Sequence, residues 1–494
     1  MKIIKKIAAI MLSVMMVLGM CSVVGATDGS TGTGKITINK AVKDQTYNIY
    51  KILDLESYDD TLNNEHYAYK AVSEWKTFLT GTEINGKYVD VDSDGYVTWK
   101  TGADAAQFAK KALAYAKDTT HPITATSTVK ATTTTVEFIN LDSGYYLVDS
   151  SVGTLCFLDT MKSGEVTIDE KNVAPTVKKE VQEDSKKNYG DTNTADIGQT
   201  VNFKTTITAQ AGAQNYVLHD KMDAGLTFNE STVKVQRQVG SEAAKDVNAG
   251  YRVKRDNLGE TDPNVCTFHI EFEKIFCETL QANEKIIIIY SATLNENAIV
   301  GITGNKNKTW LKYGEKTDLE TTPSETTTKT YEIPVFKYTE KTIGTKTGLP
   351  NAKFTLSKNM DGANPIKLVD ITNGATEGKY RVAKTGETSI TEITTPSTGK
   401  FTIKGLDADT YYLTETKQPD GYNKLSAPIK IVINEDGTIT IGESTSTVNQ
   451  VEVENKSGSL LPHTGGMGTT LFYIFGAILV IGSGVVLITK KRMK

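Results

Sequence analysis

Lys179 is one side chain whose setting in this sequence could put it to chemical use. In Pro175-Thr176-Val177-Lys178-Lys179-Glu180-Val181, the residues Val177, Lys179 and Val181 share one face of a strand. Period-two alternation therefore points a lysine inward with two valines. Asn307 lies on the face of Leu311 in Asn305-Lys306-Asn307-Lys308-Thr309-Trp310-Leu311, and Asp220 precedes the run Gly225-Leu226-Thr227-Phe228. A buried amine loses the hydration of its charge, so its pKa falls and it becomes a nucleophile. A buried carboxylic acid stays protonated and can hydrogen-bond a carboxamide, which makes that carbon more electrophilic. Attack then expels ammonia and leaves an amide between two side chains, with no cofactor. Taken singly, each of these residues reads better as a solvated lysine, a turn asparagine or a surface acid; only the three in pattern favour the bond.

Such side chains need sheets to hold them. Strand-like runs dominate the chain, with β-branched and aromatic residues between Gly, Asn, Asp and Thr turns. Lys35-Ile36-Thr37-Ile38, Gly144-Tyr145-Tyr146-Leu147-Val148 and Glu284-Lys285-Ile286-Ile287-Ile288-Ile289-Tyr290 are examples. Two helices are expected in the first third, because Val72, Trp75, Phe78 and Leu79 fall on one helical face, as do Phe108, Ala112, Leu113 and Ala116. A boundary falls near Asn172-Val173-Ala174-Pro175. Another lies near Lys316 to Tyr331, a Thr- and Glu-rich stretch that reads as a long hairpin or a linker. Gly144-Tyr145-Tyr146-Leu147-Val148-Asp149 echoes Thr410-Tyr411-Tyr412-Leu413-Thr414-Glu415, each with an acid after the same aromatic-aliphatic run.

Other chemical readings find little support. Asp90-Val91-Asp92-Ser93-Asp94-Gly95 imitates the start of a calcium loop, but the twelfth position is Thr101 and strand-like residues flank it; a hairpin with an Asp-Gly turn is expected instead. His66, His121, His219, His269 and His463 are scattered without metal-ligand spacing, so neither a metal nor a cofactor is expected. No serine or cysteine sits in a recognisable nucleophile motif, and a surface hydrolase on a β stalk has no catalytic cluster to use.

Lys2, Lys5 and Lys6, the apolar Ile7 to Met20 and the small residues Val24-Gly25-Ala26 make a secretory leader, residues 1–26. The rival is a lipoprotein box at Leu18-Gly19-Met20-Cys21, where Met20 is large for that signal. At the other end, Leu461-Pro462-His463-Thr464-Gly465 is followed by a largely apolar run, Gly466 to Thr489, and then by Lys490, Lys491, Arg492 and Lys494. Leu471 to Thr489 as a helix would be about 28 Å long, a bilayer core's thickness, with positive charge holding the tail in the cytoplasm. Removing three leader lysines and four basic tail residues takes the formal charge of −4 to −11 for residues 27–464. That argues against nucleic acid or anionic lipid as a partner. Cys156, Cys266 and Cys277 remain after the leader goes; three is odd, and although Cys266 and Cys277 could pair, buried free thiols are the plainer expectation.

Pentapeptide, span and basic stop in this order resemble the LPXTG wall-sorting signal of Gram-positive surface proteins, with His463 at the variable position. The resemblance implies that a sortase cysteine cuts between Thr464 and Gly465 and passes Thr464 to an amine. Val335-Phe336-Lys337, Leu349-Pro350-Asn351-Ala352-Lys353-Phe354, the stretch Tyr411 to Tyr422 containing Tyr412-Leu413-Thr414-Glu415-Thr416, and Val453-Glu454-Asn455-Lys456 together resemble the collagen-adhesin B-type domain and its E-box. That family implies a bond from Lys337 to Asn455 assisted by Glu415. The region after Pro175 is similar to the middle domain of sortase-assembled pilins, which implies Lys179, Asn307 and Asp220 as reactants, with Asn305 and Glu271 as fallback choices. In the first domain Lys40 and Asn172, assisted by Asp149 or Glu137, could do the same.

Ile168-Asp169-Glu170-Lys171-Asn172 stands where backbone pilins carry the lysine that receives the next subunit. Asp169-Glu170 replaces the usual tyrosine and proline, so the match rests on Lys-Asn, position and the following Pro-x-Val-x-Lys. Lys171 is the implied acceptor, with Lys178 and Lys162 as alternatives. The chain is thus expected to be mainly β: tandem Ig-like sandwiches at 30–172, 173–332 and 333–457, the first with two packed helices. The sorting motif at 461–465, a transmembrane helix at 466–489 and a basic tail at 490–494 would follow. The backbone-pilin resemblance implies a wall-anchored, secreted pilus subunit joined from Thr464 to Lys171 of the next copy. Its partners would be copies of itself, sortases, peptidoglycan, and minor pilins or host receptors, with no nucleic acid. A monomeric wall-anchored adhesin, or a minor pilin on the same stalk, is the alternative.

Overall fold

A computed structural model describes residues 32–59, 66–153, 156–161, 164–255, 266–315 and 319–458, and short helical pieces within 475–490. The leader, the sorting pentapeptide and most of the apolar tail lie outside the described residues. Among the described residues no helix is long and apolar enough to cross a membrane.

The first unit packs two sheets. Gly34–Asn39 lies between Thr135–Leu141, antiparallel, and Glu165–Asp169, parallel. The other sheet runs His66–Ala71, Thr46–Asp59, Gly144–Ser150, Phe157–Met161, with Ser127–Lys130 also on Thr46–Asp59. The helical face at 72–79 is split between a 3-10 turn, Ser73–Trp75, and a single turn, Lys76–Thr80. The second helix, Ala105–Ala116, is longer and starts at Asp104, whose carboxylate accepts the N–H groups of Ala106 and Gln107. Phe108, Ala112, Leu113 and Ala116 are buried with Trp75, Leu79 and Leu147, as the helical spacing predicts. Asp92 closes the expected hairpin between Val89–Val91 and Val97–Trp99 by accepting the N–H groups of Asp94 and Tyr96.

The second unit is a sandwich. One sheet runs Tyr189–Gly190, Thr176–Gln182, Thr200–Thr208, Lys285–Leu294, Leu226–Gln238, Lys245–Val247. The facing one runs Tyr251–Lys254, Phe268–Phe272, Val217–Met222, Gly301–Tyr313, and then Ser324–Thr342. That last strand does not end with the unit. It is 19 residues long; its first half pairs with Gly301–Tyr313, and its second half pairs with Lys400–Leu406 and, in parallel, with Val451–Glu454. The described part of the expected hairpin or linker, from Leu319 to Tyr331, is therefore the return arm of a hairpin that runs on into the third unit as sheet. The third unit's second sheet runs Ile393–Thr394, Lys353–Ser357, Thr410–Lys417, Ile429–Ile433, Ile439–Ile441, Thr447–Val448.

The second and third units share one apolar core, from Val181 to Val453. Polar contacts seal the junction: Ile197 N–H donates to Gly405 O at 2.9 Å, and Asp407 N–H to Asp196 Oδ1 at 2.8 Å. Lys358 Nζ stands 2.9 Å from Asp196 and 3.0 Å from Asp409.

Candidate isopeptide centres

In the middle unit, Lys179 comes from the first strand of one sheet, Asp220 and Asn307 from adjacent strands of the facing sheet. All three are fully buried. Alternation of Val177, Lys179 and Val181 puts the amine between the sheets, where its Nζ contacts Asp220 Oδ2 and the hydroxyl of Tyr290. Tyr290 stands on Lys285–Leu294 in the same sheet as Lys179, and its O–H donates to Asp220 Oδ2 at 2.6 Å. Asn307 Nδ2 donates to the Tyr290 oxygen at 3.0 Å. Burial pushes the Lys179 pKa down against the pull of Asp220, and pushes the Asp220 pKa up. Both shifts favour a neutral amine beside a protonated acid, the pair the reaction requires. Asn307 Oδ1 and Asp220 Oδ1 are buried without hydrogen-bond partners. Left unpaired, each would cost about 1–3 kcal/mol.

The fallback choices are occupied elsewhere. Asn305 is buried too, but its amide closes a loop: Oδ1 accepts Ile299 N–H at 2.8 Å, and Nδ2 donates to Ile299 O and Thr328 O at 3.2 Å. Glu271 is a surface partner of Lys254 at 2.7 Å.

The third unit has a second centre. Lys337 and Asn455 belong to neighbouring parallel strands, with Lys337 opposite Val453 and Asn455 N–H donating to Tyr338 O at 2.9 Å. Glu415 reaches them from the other sheet. Its Oε1 is 3.0 Å from Lys337 Nζ and accepts Asn455 Nδ2 at 3.0 Å, while Oε2 accepts Leu425 N–H at 2.8 Å. Lys337 Nζ also contacts Asn455 Oδ1. Burial lowers the Lys337 pKa, with Glu415 opposing. Gly399 holds this strand in place: its carbonyl accepts Lys337 N–H, its φ is +69°, and a Cβ there would meet Lys337 O at 2.1 Å.

The first unit does not assemble the expected set. Lys40 follows the end of its strand with φ of 57°, which turns the side chain outward; it is 73% exposed and pairs with Asp169 at 2.7 Å. Asn172 is buried, but its Nδ2 donates to Glu170 at 3.0 Å and Ser150 at 3.2 Å. Glu137 pairs with Lys35 at the surface. Asp149 is buried as the echo of Glu415 implies, and burial raises its pKa, yet its amine is Lys117, just past the helix Ala105–Ala116, at 2.9 Å. Lys117 also meets Glu315 of the second unit at 3.0 Å, so this cluster ties two units together.

Lys171 is exposed, with Nζ 4.5 Å from the centroid of the Phe157 ring. Lys178 is exposed beside Glu180, and Lys162 lies outside the described residues. So do Leu461, Pro462, His463, Thr464 and Gly465. Among the described residues Cys156, Cys266 and Cys277 form no disulfide, and Cys266 Sγ lies 3.3 Å from His219 Nδ1. Sequence reasoning missed Tyr290. Its signal was the alternation Ile286, Ile288, Tyr290 on a buried face, since a buried tyrosine hydroxyl needs a partner.

Residues 335–446 match the family model of the SpaA prealbumin-like fold domain, and residues 453–494 match the LPXTG cell wall anchor motif. The type 1 fimbrial subunit of Actinomyces viscosus is 34% identical over 86 residues, 17% of this chain and 16% of that one. The trypsin-resistant surface T6 protein of Streptococcus pyogenes serotype M6 is 23% identical over 291 residues, 57% of this chain and 50% of that one. The chain thus spans half or less of the curated relatives it matches. Among solved structures, the three-domain T6 backbone pilin of serotype M6 Streptococcus pyogenes aligns with a TM-score of 0.50 at 18% identity, covering 83% of this chain and 81% of that one. The chain is a Gram-positive wall-anchored surface protein of pilin-like, mainly β fold, with a prealbumin-like domain before its anchor motif.

Proposed function

We propose that this chain is the backbone subunit of a covalently polymerised surface pilus. Its subunits are joined by sortase from Thr464 to Lys171 of the next copy, and stiffened internally by Lys179–Asn307 and Lys337–Asn455 amide bonds. The observation that carries this reading is the pair of buried lysine–acid–asparagine centres in consecutive units. A free-standing anchor has little need of two such staples, whereas a fibre transmits load through every subunit. The wall-anchor match and the fimbrial relatives support it. Lys171 is exposed on the segment between the first two units, which an acceptor requires. A head-to-tail contact of this kind does not close on itself and yields a filament. The sortases and peptidoglycan are the implied partners; minor pilins and host receptors would be additional ones.

The test is Lys171→Ala in cells. High-mass ladders on a denaturing gel are expected to vanish while monomer still reaches the wall. Unchanged ladders would overturn Lys171 as acceptor, and a single band from wild-type cells would favour the monomeric adhesin instead.

A further inference from the structure

Resting on the cross-link reading above, we infer that Tyr290 is a catalytic residue of the middle centre, carrying a proton from Asp220 to the departing nitrogen of Asn307. The two centres solve one problem with different reach. In the third unit Glu415 Oε1 touches both reacting groups, at 3.0 Å from Lys337 Nζ and 3.0 Å from Asn455 Nδ2. In the middle unit the acid is an aspartate, one methylene shorter. Asp220 Oδ2 contacts the amine, while the hydrogen bond of Asn307 Nδ2 goes to the Tyr290 oxygen at 3.0 Å. That hydroxyl stands 2.6 Å from Asp220 Oδ2 and also contacts Lys179 Nζ, so it spans the gap between acid and leaving group. Its ring is held by Phe203, stacked at 5.5 Å, and by Phe268, edge-on at 5.1 Å. Full burial and these ring contacts hold the relay's groups in place.

The step balances as follows. Lys179 Nζ attacks Asn307 Cγ, and the carbonyl π pair moves to Oδ1. Attack frees the lone pair on Nδ2, so the Tyr290 O–H turns from Asp220 to Nδ2 and both hydrogen bonds reverse their resting direction; Asp220 then passes its proton to the Tyr290 oxygen as the tyrosine's own proton moves to Nδ2. The Cγ–Nδ2 bond breaks, the Oδ1 pair re-forms the carbonyl, and ammonia leaves. The Asp220 carboxylate then takes one proton from the newly bonded lysine nitrogen. Acid and tyrosine end as they began.

The experiment maps cross-linked peptides by mass spectrometry in the full chain, using wild type, Y290F, and Y290F combined with D220E. Wild type is expected to carry both links. Y290F is expected to keep Lys337–Asn455 in full, an internal control for chemistry, and to lose at least tenfold of Lys179–Asn307. The added methylene of D220E lets the acid reach Nδ2 directly and should restore most of that link, which a merely structural loss would not allow. The inference is overturned if Y290F links Lys179 to Asn307 as fully as wild type. It is equally overturned if the double variant, with Lys337–Asn455 intact, links no better than Y290F. A wild-type chain without the Lys179–Asn307 link would instead remove the cross-link reading on which the relay stands.

Discussion

Asn455→Ala isolates the energetic weight of one staple. The substitution removes the carboxamide but keeps Glu415 Oε1 3.0 Å from Lys337 Nζ, so the buried amine is not left without a partner. The proposed bond from Lys337 to Asn455 would close a loop of 118 residues. By the chain-entropy relation for a disulfide over such a loop, its loss costs about 5 kcal/mol. A unit of this size unfolds with an entropy near 2.1 cal/mol/K per residue, so the melting temperature of the third unit is expected to fall by roughly 20 °C. Intact mass should rise by about 17 Da beyond the change in composition, since one ammonia is retained. Calorimetry and mass spectrometry read the two effects on one sample. Lys337→Ala combined with Asn455→Ala should cost far less than the sum of the single variants, because the cross-link is lost only once. A wild-type mass equal to plain composition, or a mass gain in Asn455→Ala with no change in melting, would refute the reasoning.

Two further outcomes are expected. Burial at the junction of the second and third units pushes the Asp407 pKa up from 3.8 to about 7, with Asp196 and Asp184 adding to the rise and Lys358 opposing it. The folded state then holds an extra proton between about pH 4 and pH 7, so this group's contribution is lost as pH rises, by at most about 4 kcal/mol. Asp407→Asn should flatten the difference in melting temperature between pH 5 and pH 8, and an unchanged difference would count against the junction as its source. Lys40→Ala, at an exposed ion pair, should change stability by no more than about 1 kcal/mol and leave the intact mass free of any ammonia gain; either a larger loss or a gain of about 17 Da would mean that Lys40 is a reactant after all.

The centres were legible where reactivity coincides with period-two alternation. Lys179 is flanked by Val177 and Val181, and Asn307 shares a face with Leu311, so strand geometry alone turns them inward. Lys337 and Asn455 needed the E-box resemblance, because pairing of a first with a last strand leaves no local trace. Lys40 failed because one positive φ after Asn39 reverses the direction of the side chain, a detail its neighbours do not encode. Asp149 was found as an acid, but its partner Lys117 arrives from a helix end, beyond the reach of strand patterning. The hairpin's return arm read as either a hairpin or a linker because Thr and Glu fill it. Yet Thr326, Thr328 and Thr330 are buried and alternate, and β-branched threonine suits a strand as well as a turn.

The 19-residue strand Ser324–Thr342 sets how far a loaded subunit could stretch. Asn307 pairs opposite Thr326 on that strand, and Lys337 lies further along it. With both amides closed, the covalent route from Lys179 to Asn455 runs through one staple, the segment 307–337, and the other staple. Everything else in the two units is bypassed. The only slack on that route is the hairpin itself, whose full extension is limited to about 100 Å at 3.3–3.6 Å per residue. The third unit would then meet tension as a nearly inextensible link, while the first unit, whose strands all precede the proposed acceptor Lys171, would stand off the loaded route and need no closure between Lys40 and Asn172.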